Sequence, residues 1–473
     1  MSALRSLCPL VALAALAAPA LGQTPAAGAQ ADVEAAAAAL RDAALESNDA
    51  YAIVQSLTAE VGPRSAGSEG DRAAVAWALG RMQDLGLANV RAESVTVPHW
   101  ERGTAEVRIV EPWPQKLVST ALGGSVGTDE GGVEAPVLEV ADLAELAQLP
   151  ERVVRGTIVY FSARMERTRD GAGYAKAVLA RRDGPAEAAR RGAVGMLMRS
   201  AGTSSSRFAH TGATTYKPDV PAIPALALAH PDADLLEQEL ENGSPVVVRL
   251  QLTSRALGTA RSANVVGEVP GRGDGIVLLT AHLDSWDLGT GAIDDAAGVG
   301  IVLAAAQLIA RQTAPPARTL RVILYANEEY GLSGAKAYAA EHADELDRHV
   351  IGMEADFGTG RVWRVDSRVA DAALSSLGPL YDALAPLGVE RGSNEANGGA
   401  DLGALKDLGM PVLELNQDGT RYFDFHHTAD DTFDKIDRDD LSQVVAAFAT
   451  AAYIAVAADT DFGRLPPAPP KEP

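Results

Sequence analysis

The sequence predicts an α/β fold: a mainly parallel or mixed sheet sandwiched by helices, interrupted by an inserted β-rich domain. Three observations carry that prediction. Strand-like runs at 275–281, 319–326, 349–355 and 410–415 alternate with helical stretches at about 295–311, 331–345, 366–384 and 439–458. That order builds a sheet with helices on both faces. The run Ile276 to Leu279 is apolar throughout, as in a strand covered on both sides. Between about Pro112 and Leu252 the alternation breaks into short β-like runs and turns, so the insert divides the α/β part in two.

Taken in order, the chain begins with Arg5, an apolar stretch Leu7 to Leu21, and Ala20-Leu21-Gly22 before Gln23. This is the charged, apolar, small-residue order of a secretory signal peptide, expected over residues 1–22. The apolar core is short for a membrane anchor. Residues 23–111 form the first part of the α/β domain. Asp32 to Ser47 is Ala-rich and helical, Gly62-Pro63-Arg64-Ser65-Ala66-Gly67-Ser68 is a turn cluster, and Arg72 to Leu85 is a helix stopped by Gly86. Val90 to Val97 alternates like a strand. The insert, bounded at 112–255, holds strand candidates at Val153 to Phe161, Ala193 to Met198 and Val246 to Leu252, a short helix at Pro185 to Arg191, and a Ser/Thr/Gly-rich loop at Ser200 to Thr215. His210 is isolated there, either a hydrogen-bonding or surface residue or a substrate contact. Residues 256–460 carry the main α/β part, and 461–473 read as a Pro-rich disordered tail.

A chain of 473 residues accommodates two or three domains. Apolar content of 47% marks it as globular, and a net charge of −22 excludes nucleic acid as a partner class. The single cysteine, Cys8, falls in the leader, so the exported protein carries no disulfide, which fits a periplasmic or secreted bacterial enzyme. No membrane association is expected once the leader is removed; Val444 to Ala458 reads as an Ala-rich core helix.

The chemistry gathers at strand ends, where open α/β sheets place their sites. The run Ile276 to Leu279 breaks into a glycine-spaced loop carrying His282, Asp284, Asp287, Asp294 and Asp295. Glu328-Glu329 follows the next strand, Asp356 follows Met353-Glu354-Ala355, and His427-Thr428 with Asp431-Thr432 closes the set. Two imidazoles and several carboxylates suit a divalent metal such as zinc. They can fill two metal positions that share one bridging carboxylate, while a free carboxylate moves the proton.

With these motifs in view, the chain resembles the co-catalytic di-zinc exopeptidases of the aminopeptidase type, and most of all the carboxypeptidase Q (plasma glutamate carboxypeptidase) branch. The resemblance covers nearly the whole mature chain. Its most specific part is His282 to Asp295, reading HLDSWDLGTGAIDD. Gly62-Pro63-Arg64, Ser204 to Gly212 and Pro221 to Pro224 are also similar, the last two within what would be a protease-associated insert. The resemblance implies two zinc ions, with Asp294 bridging them, His282 and Asp356 completing one site, and Glu329 and His427 the other. Glu328 would be the general base and Asp284 would orient His282. The Asp294–Asp295 junction would be a strained peptide. Either His426 or His427 could reach a metal, and the family pattern, with the ligand directly before the Thr, selects His427. Tyr422 and Asp401 are candidate substrate contacts. The implied activity is hydrolysis near a free terminus of di- or oligopeptides by an aminopeptidase or dipeptidase, with a homodimer allowed. The alternatives are a carboxypeptidase acting on dipeptides or acidic C-termini, a glutaminyl-cyclase-like transferase and a non-catalytic binding protein.

Overall fold

The computed structural model describes residues 27–457 and 460–469; the expected leader lies outside them. Two eight-stranded sheets organise the chain. The first is ordered Ala88–Glu101, Arg255–Val269, Thr319–Tyr325, Ile276–His282, His349–Glu354, Val412–Gln417, Val362–Arg368, Glu390–Arg391. Its centre is parallel, from Thr319–Tyr325 through Ile276–His282 and His349–Glu354 to Val412–Gln417. The long strands Ala88–Glu101 and Arg255–Val269 run antiparallel on one side, and Val362–Arg368 runs antiparallel to Val412–Gln417 on the other. The sheet is therefore mixed.

Ile276–His282 is buried at every position, which is why it reads as an unbroken apolar run. The helix that follows, Ala297–Ala310, is almost wholly buried and apolar on all sides, made of small and aliphatic residues that let it lie close to the sheet. Helix Arg438–Ala457 packs beside it. The helical run Ala292–Ala310 and the helix Arg438–Ala457 are each long and apolar enough to cross a membrane, yet both are mostly buried inside the molecule.

The second sheet leaves the first through Arg102-Gly103 and returns through Thr253-Ser254, between two strands that pair with each other along their length. Its strands are ordered Gln115–Leu117, Ala105–Glu111, Val247–Leu252, Val133–Val140, Ile158–Phe161, Gly195–Arg199, Ala225–Leu228, Ser119–Ala121. It begins at Ala105, ahead of the compositional break at Pro112, because Ala105–Glu111 alternates like the strand before it. It also contains a four-strand parallel run with helices between its first three strands, so it is α/β in part rather than purely β.

Four segments differ from expectation. The strand read at Val153 to Phe161 starts only at Ile158, because Glu151–Val154 is a helical turn. The helix read at Pro185 to Arg191 starts at Ala172 and runs through Pro185 to Arg190, Pro185 being accommodated inside it. The helix expected over 366–384 opens instead with strand Val362–Arg368, and helical turns begin only at Asp371. The described part of the expected tail is docked: Phe462 is buried, and the Leu465 and Ala468 N–H groups donate to the Gly409 and Asp407 carbonyls at 2.9 and 2.8 Å.

Candidate metal centre

The parallel strands deliver their polar ends to one place. His282 is the last residue of its strand and only 1% exposed. Its Nδ1–H donates to the Asp284 carbonyl at 3.0 Å, leaving Nε2 to face Asp294 Oδ1 at 3.0 Å and Asp356 Oδ1 at 3.5 Å. The second oxygen of Asp294 faces the other histidine: His427 Nε2 lies 3.2 Å from Asp294 Oδ2 and 2.8 Å from Glu329 Oε2. One buried carboxylate thus stands between two imidazoles, with Asp356 on one side and Glu329 on the other. The donor atoms of His282, Asp294 and Glu329 lie within 4.8 Å of one another, as do those of His282, Asp295 and Asp356, and those of Asp294, His426 and His427.

His426 stacks on His427 with ring centroids 3.5 Å apart, and its Nε2 is 3.6 Å from Asp294 Oδ2, farther than that of His427. Tyr422 lies beside this pair, its ring 5.0 Å from that of His426 and stacked on Phe357. Asp401 is 1% exposed and both its carboxylate oxygens lack a partner, so it is close by without bonding into the cluster. Asp284 differs in detail from expectation. It is the Asp284 backbone carbonyl that holds His282, because its carboxylate Oδ1 accepts the Glu328 N–H at 3.0 Å and stands 3.6 Å from the ring nitrogen.

Three further residues support the site through its backbone. Arg64, fully buried, donates to the carbonyls of Leu283, Thr290 and Gly291 and so fixes the whole glycine-spaced loop from inside. Asp431 accepts the Ile293 and Asp294 N–H groups at 2.6 and 3.3 Å. Asp295, joined to Asp294 by a cis peptide bond, accepts from His282 N–H at 3.1 Å and Gly298 N–H at 2.9 Å. Arg64 lies in the Gly62-Pro63-Arg64 turn and Asp431 just beyond His427; each was visible as part of a motif, but neither spacing indicates which backbone it holds.

The electrostatics match the donor set. Burial raises the carboxyl pKa of Glu329, and Asp294 adds to it while His427 opposes; burial likewise raises Asp356, against His282 and with Asp294. Burial also pushes Glu328 well up, opposed by His282 and reinforced by Asp356, Glu329 and Asp284. Asp294 goes the other way: burial would raise it, but hydrogen bonds from His282 and His427 and the charge of His426 hold it well below the usual range. Mutually repelling buried carboxylates of this kind, interleaved with imidazoles and with Glu329 Oε1 left without a partner, fit a divalent cation, and nitrogen and oxygen donors suit zinc.

Fold and site together define a metal-binding α/β enzyme with its centre at the carboxyl ends of parallel strands. Residues 264–452 match the peptidase family M28. The chain is 34% identical to carboxypeptidase Q of Mus musculus over 88% of its own length and 86% of that protein's. The crystal structure of a peptidase M28 precursor from Shewanella amazonensis superposes with a TM-score of 0.90 at 47% identity, covering 93% of this chain and all of that one. A zinc aminopeptidase from Bacillus subtilis, 20% identical and covering 89% of this chain and 97% of its own, shares the fold with a TM-score of 0.63. The chain belongs to peptidase family M28 and is a metallopeptidase.

Proposed function

We propose that the protein is an exported di-zinc exopeptidase that hydrolyses the peptide bond next to a free terminus in di- or oligopeptides. The observation that carries this reading is Asp294, whose two oxygens face different histidines at 3.0 and 3.2 Å. In this reading His282, Asp356 and Asp294 hold one zinc, and His427, Glu329 and Asp294 the other. Two zinc ions held this way would polarise the scissile carbonyl and make a water nucleophilic at neutral pH. Glu328 takes the proton from the attacking water and returns it to the leaving amine nitrogen. Its backbone is fixed by Asp284, which also fixes His282, so base and ligand keep a constant spacing. Tyr422 and Asp401, beside the cluster, are the candidate substrate contacts. The second sheet, read as a protease-associated domain, covers the cleft and favours short peptides, and the leader carries the protein to the periplasm or outside the cell.

Glu328→Gln keeps the shape and removes the base. Peptide hydrolysis should fall by about 10²–10⁴-fold while zinc content stays at two per chain; undiminished hydrolysis would sink the mechanism. Aminopeptidase or dipeptidase action is the first reading. The second, carboxypeptidase action, is favoured by the name of the relative at 34% identity. Mass-spectrometric cleavage of a mixed peptide library separates them: N-terminal acetylation should abolish cleavage under the first, whereas C-terminal amidation should do so under the second.

A further inference from the structure

We propose that the second domain is a working part of the metal centre, with Thr211 as the positioning residue that aims His427 and Arg102 as the residue that holds Thr211 in place. The proposal rests on His427 being a zinc ligand. His427 is caught at both its backbone and its ring by one residue 216 positions earlier in the chain. The Thr211 N–H donates to the His427 carbonyl at 2.9 Å, and the His427 Nδ1–H donates to the Thr211 carbonyl at 3.2 Å. Arg181 Nη1 also stands 3.3 Å from this Nδ1, so the Thr211 carbonyl is the group there that can accept the ring proton, and with a metal on Nε2 the Nδ1–H points to that carbonyl. The same pair of bonds holds His427 at a φ of 62°, a left-handed backbone that few residues other than glycine adopt unaided. Next to it, His210 Nδ1–H donates to the His426 carbonyl at 2.8 Å, so two consecutive residues of the second domain grip two consecutive residues of the histidine pair. Arg181 Nη1 donates to the same Thr211 carbonyl at 3.3 Å and occupies its other lone pair.

Thr211 is itself anchored. It is completely buried, and its hydroxyl donates to the Ala121 carbonyl and accepts from Arg102 Nη1, both at 2.9 Å. Arg102 stands at the junction of the two sheets and reaches across it. Its Nε lies 3.0 and 2.9 Å from the two carboxylate oxygens of Asp287, and its guanidinium lies over the rings of Trp100 and Trp286, 5.1 and 5.6 Å from their centres. Gly123 of the second domain approaches Trp286 so closely that a Cβ there would fall 1.9 Å from the ring. Ser285-Trp286-Asp287, which contributes no metal ligand, therefore acquires a purpose as the dock on which the second domain seats. A domain serving only as a cover would need no bond to a ligand's own backbone and ring.

Hydrogen exchange on the full chain, zinc-free and zinc-loaded, tests this without any substitution. Zinc should slow exchange over residues 205–215 of the second domain together with residues 422–432. Protection of 422–432 alone overturns the proposal. If zinc does not bind at all, the reading of the metal centre falls and takes the proposal with it. Zinc counted by elemental analysis against a graded chelator gives the second measurement. Thr211→Ala and Arg102→Ala should retain one zinc as the wild type does and release the other about 10–100-fold more readily. It should be the zinc that His427→Ala loses, and Thr211→Ser, which keeps the hydroxyl, should restore its retention. Wild-type retention of both ions in both alanine variants overturns the proposal, and separates its failure from that of the metal-site reading, which His427→Ala tests alone.

Discussion

Asp294 places one buried carboxylate between two imidazoles. Its neighbours divide into groups that face its oxygens, His282 and His427, and a group that holds its backbone, Asp431. Arg64 plays the corresponding part for the loop as a whole, a buried guanidinium satisfied by backbone carbonyls with Asp431 and Asp295 near enough to favour its charge against the burial that opposes it. The adjacent histidines give the sharpest test at this scale. On the proposed ligand assignment, His427→Ala should retain one zinc per chain and lose most hydrolysis, whereas His426→Ala should retain two. Zinc counts in the reverse order would move the ligand to His426.

At the scale of elements, the strand ends place the site and the packing between elements sets how stability responds to pH. His349 opens the strand His349–Glu354 and is buried beneath helix Ser333–Glu341, with Tyr338 Oη 2.9 Å from its Nε2 and its Nδ1–H donating to the Glu345 carbonyl at 3.0 Å. Burial, with Arg321 nearby, pushes its pKa down to about 4, only partly countered by Glu345. The unfolded chain takes up this proton near the ordinary imidazole pKa of about 6.5, before the folded chain does. The stability due to neutral His349 is therefore complete above about pH 6.5 and is lost progressively towards pH 4, by up to about 3 kcal/mol. Denaturant titrations at pH 7, 5.5 and 4 should show that loss, and His349→Gln should flatten it. An unchanged slope in the variant would assign the pH dependence to other groups.

At the scale of the whole molecule, the centre is assembled from parts that have no local reason to meet. Its residues come from the ends of strands and from the segments that follow them, four strands in all, and the second sheet reaches back to the histidine pair. Ions bound there would tie those parts together, so metal binding and folding should be linked. A site kept at about 1,000 times its dissociation constant adds about 4 kcal/mol of stability. Exhaustive chelation should lower the melting temperature of the full chain and readdition of zinc should restore it; a melting temperature indifferent to both would exclude zinc as a tie between these strand ends.

Much of this was legible in the sequence. The parallel core showed itself in runs such as Ile276 to Leu279, because a strand covered on both faces has no reason to alternate. His282, Glu329 and Asp356 were legible because each follows such a run, where a polar side chain must find a partner. The strand Val362–Arg368 was not, since Trp363, Arg364, Asp366 and Arg368 mask its apolar positions and its identity depends on pairing with Val412–Gln417. Nor was the docked tail, whose backbone bonds go to Gly409 and Asp407 rather than to anything nearby in sequence. Which histidine faces Asp294 Oδ2 more closely, which carbonyls Arg64 satisfies, and that Thr211 grips His427 were decided by tertiary structure alone. Residue type and local pattern determine what a side chain can bind. Only packing determines which distant backbone supplies its partner, because a buried donor must be satisfied by whatever the fold brings within about 3 Å.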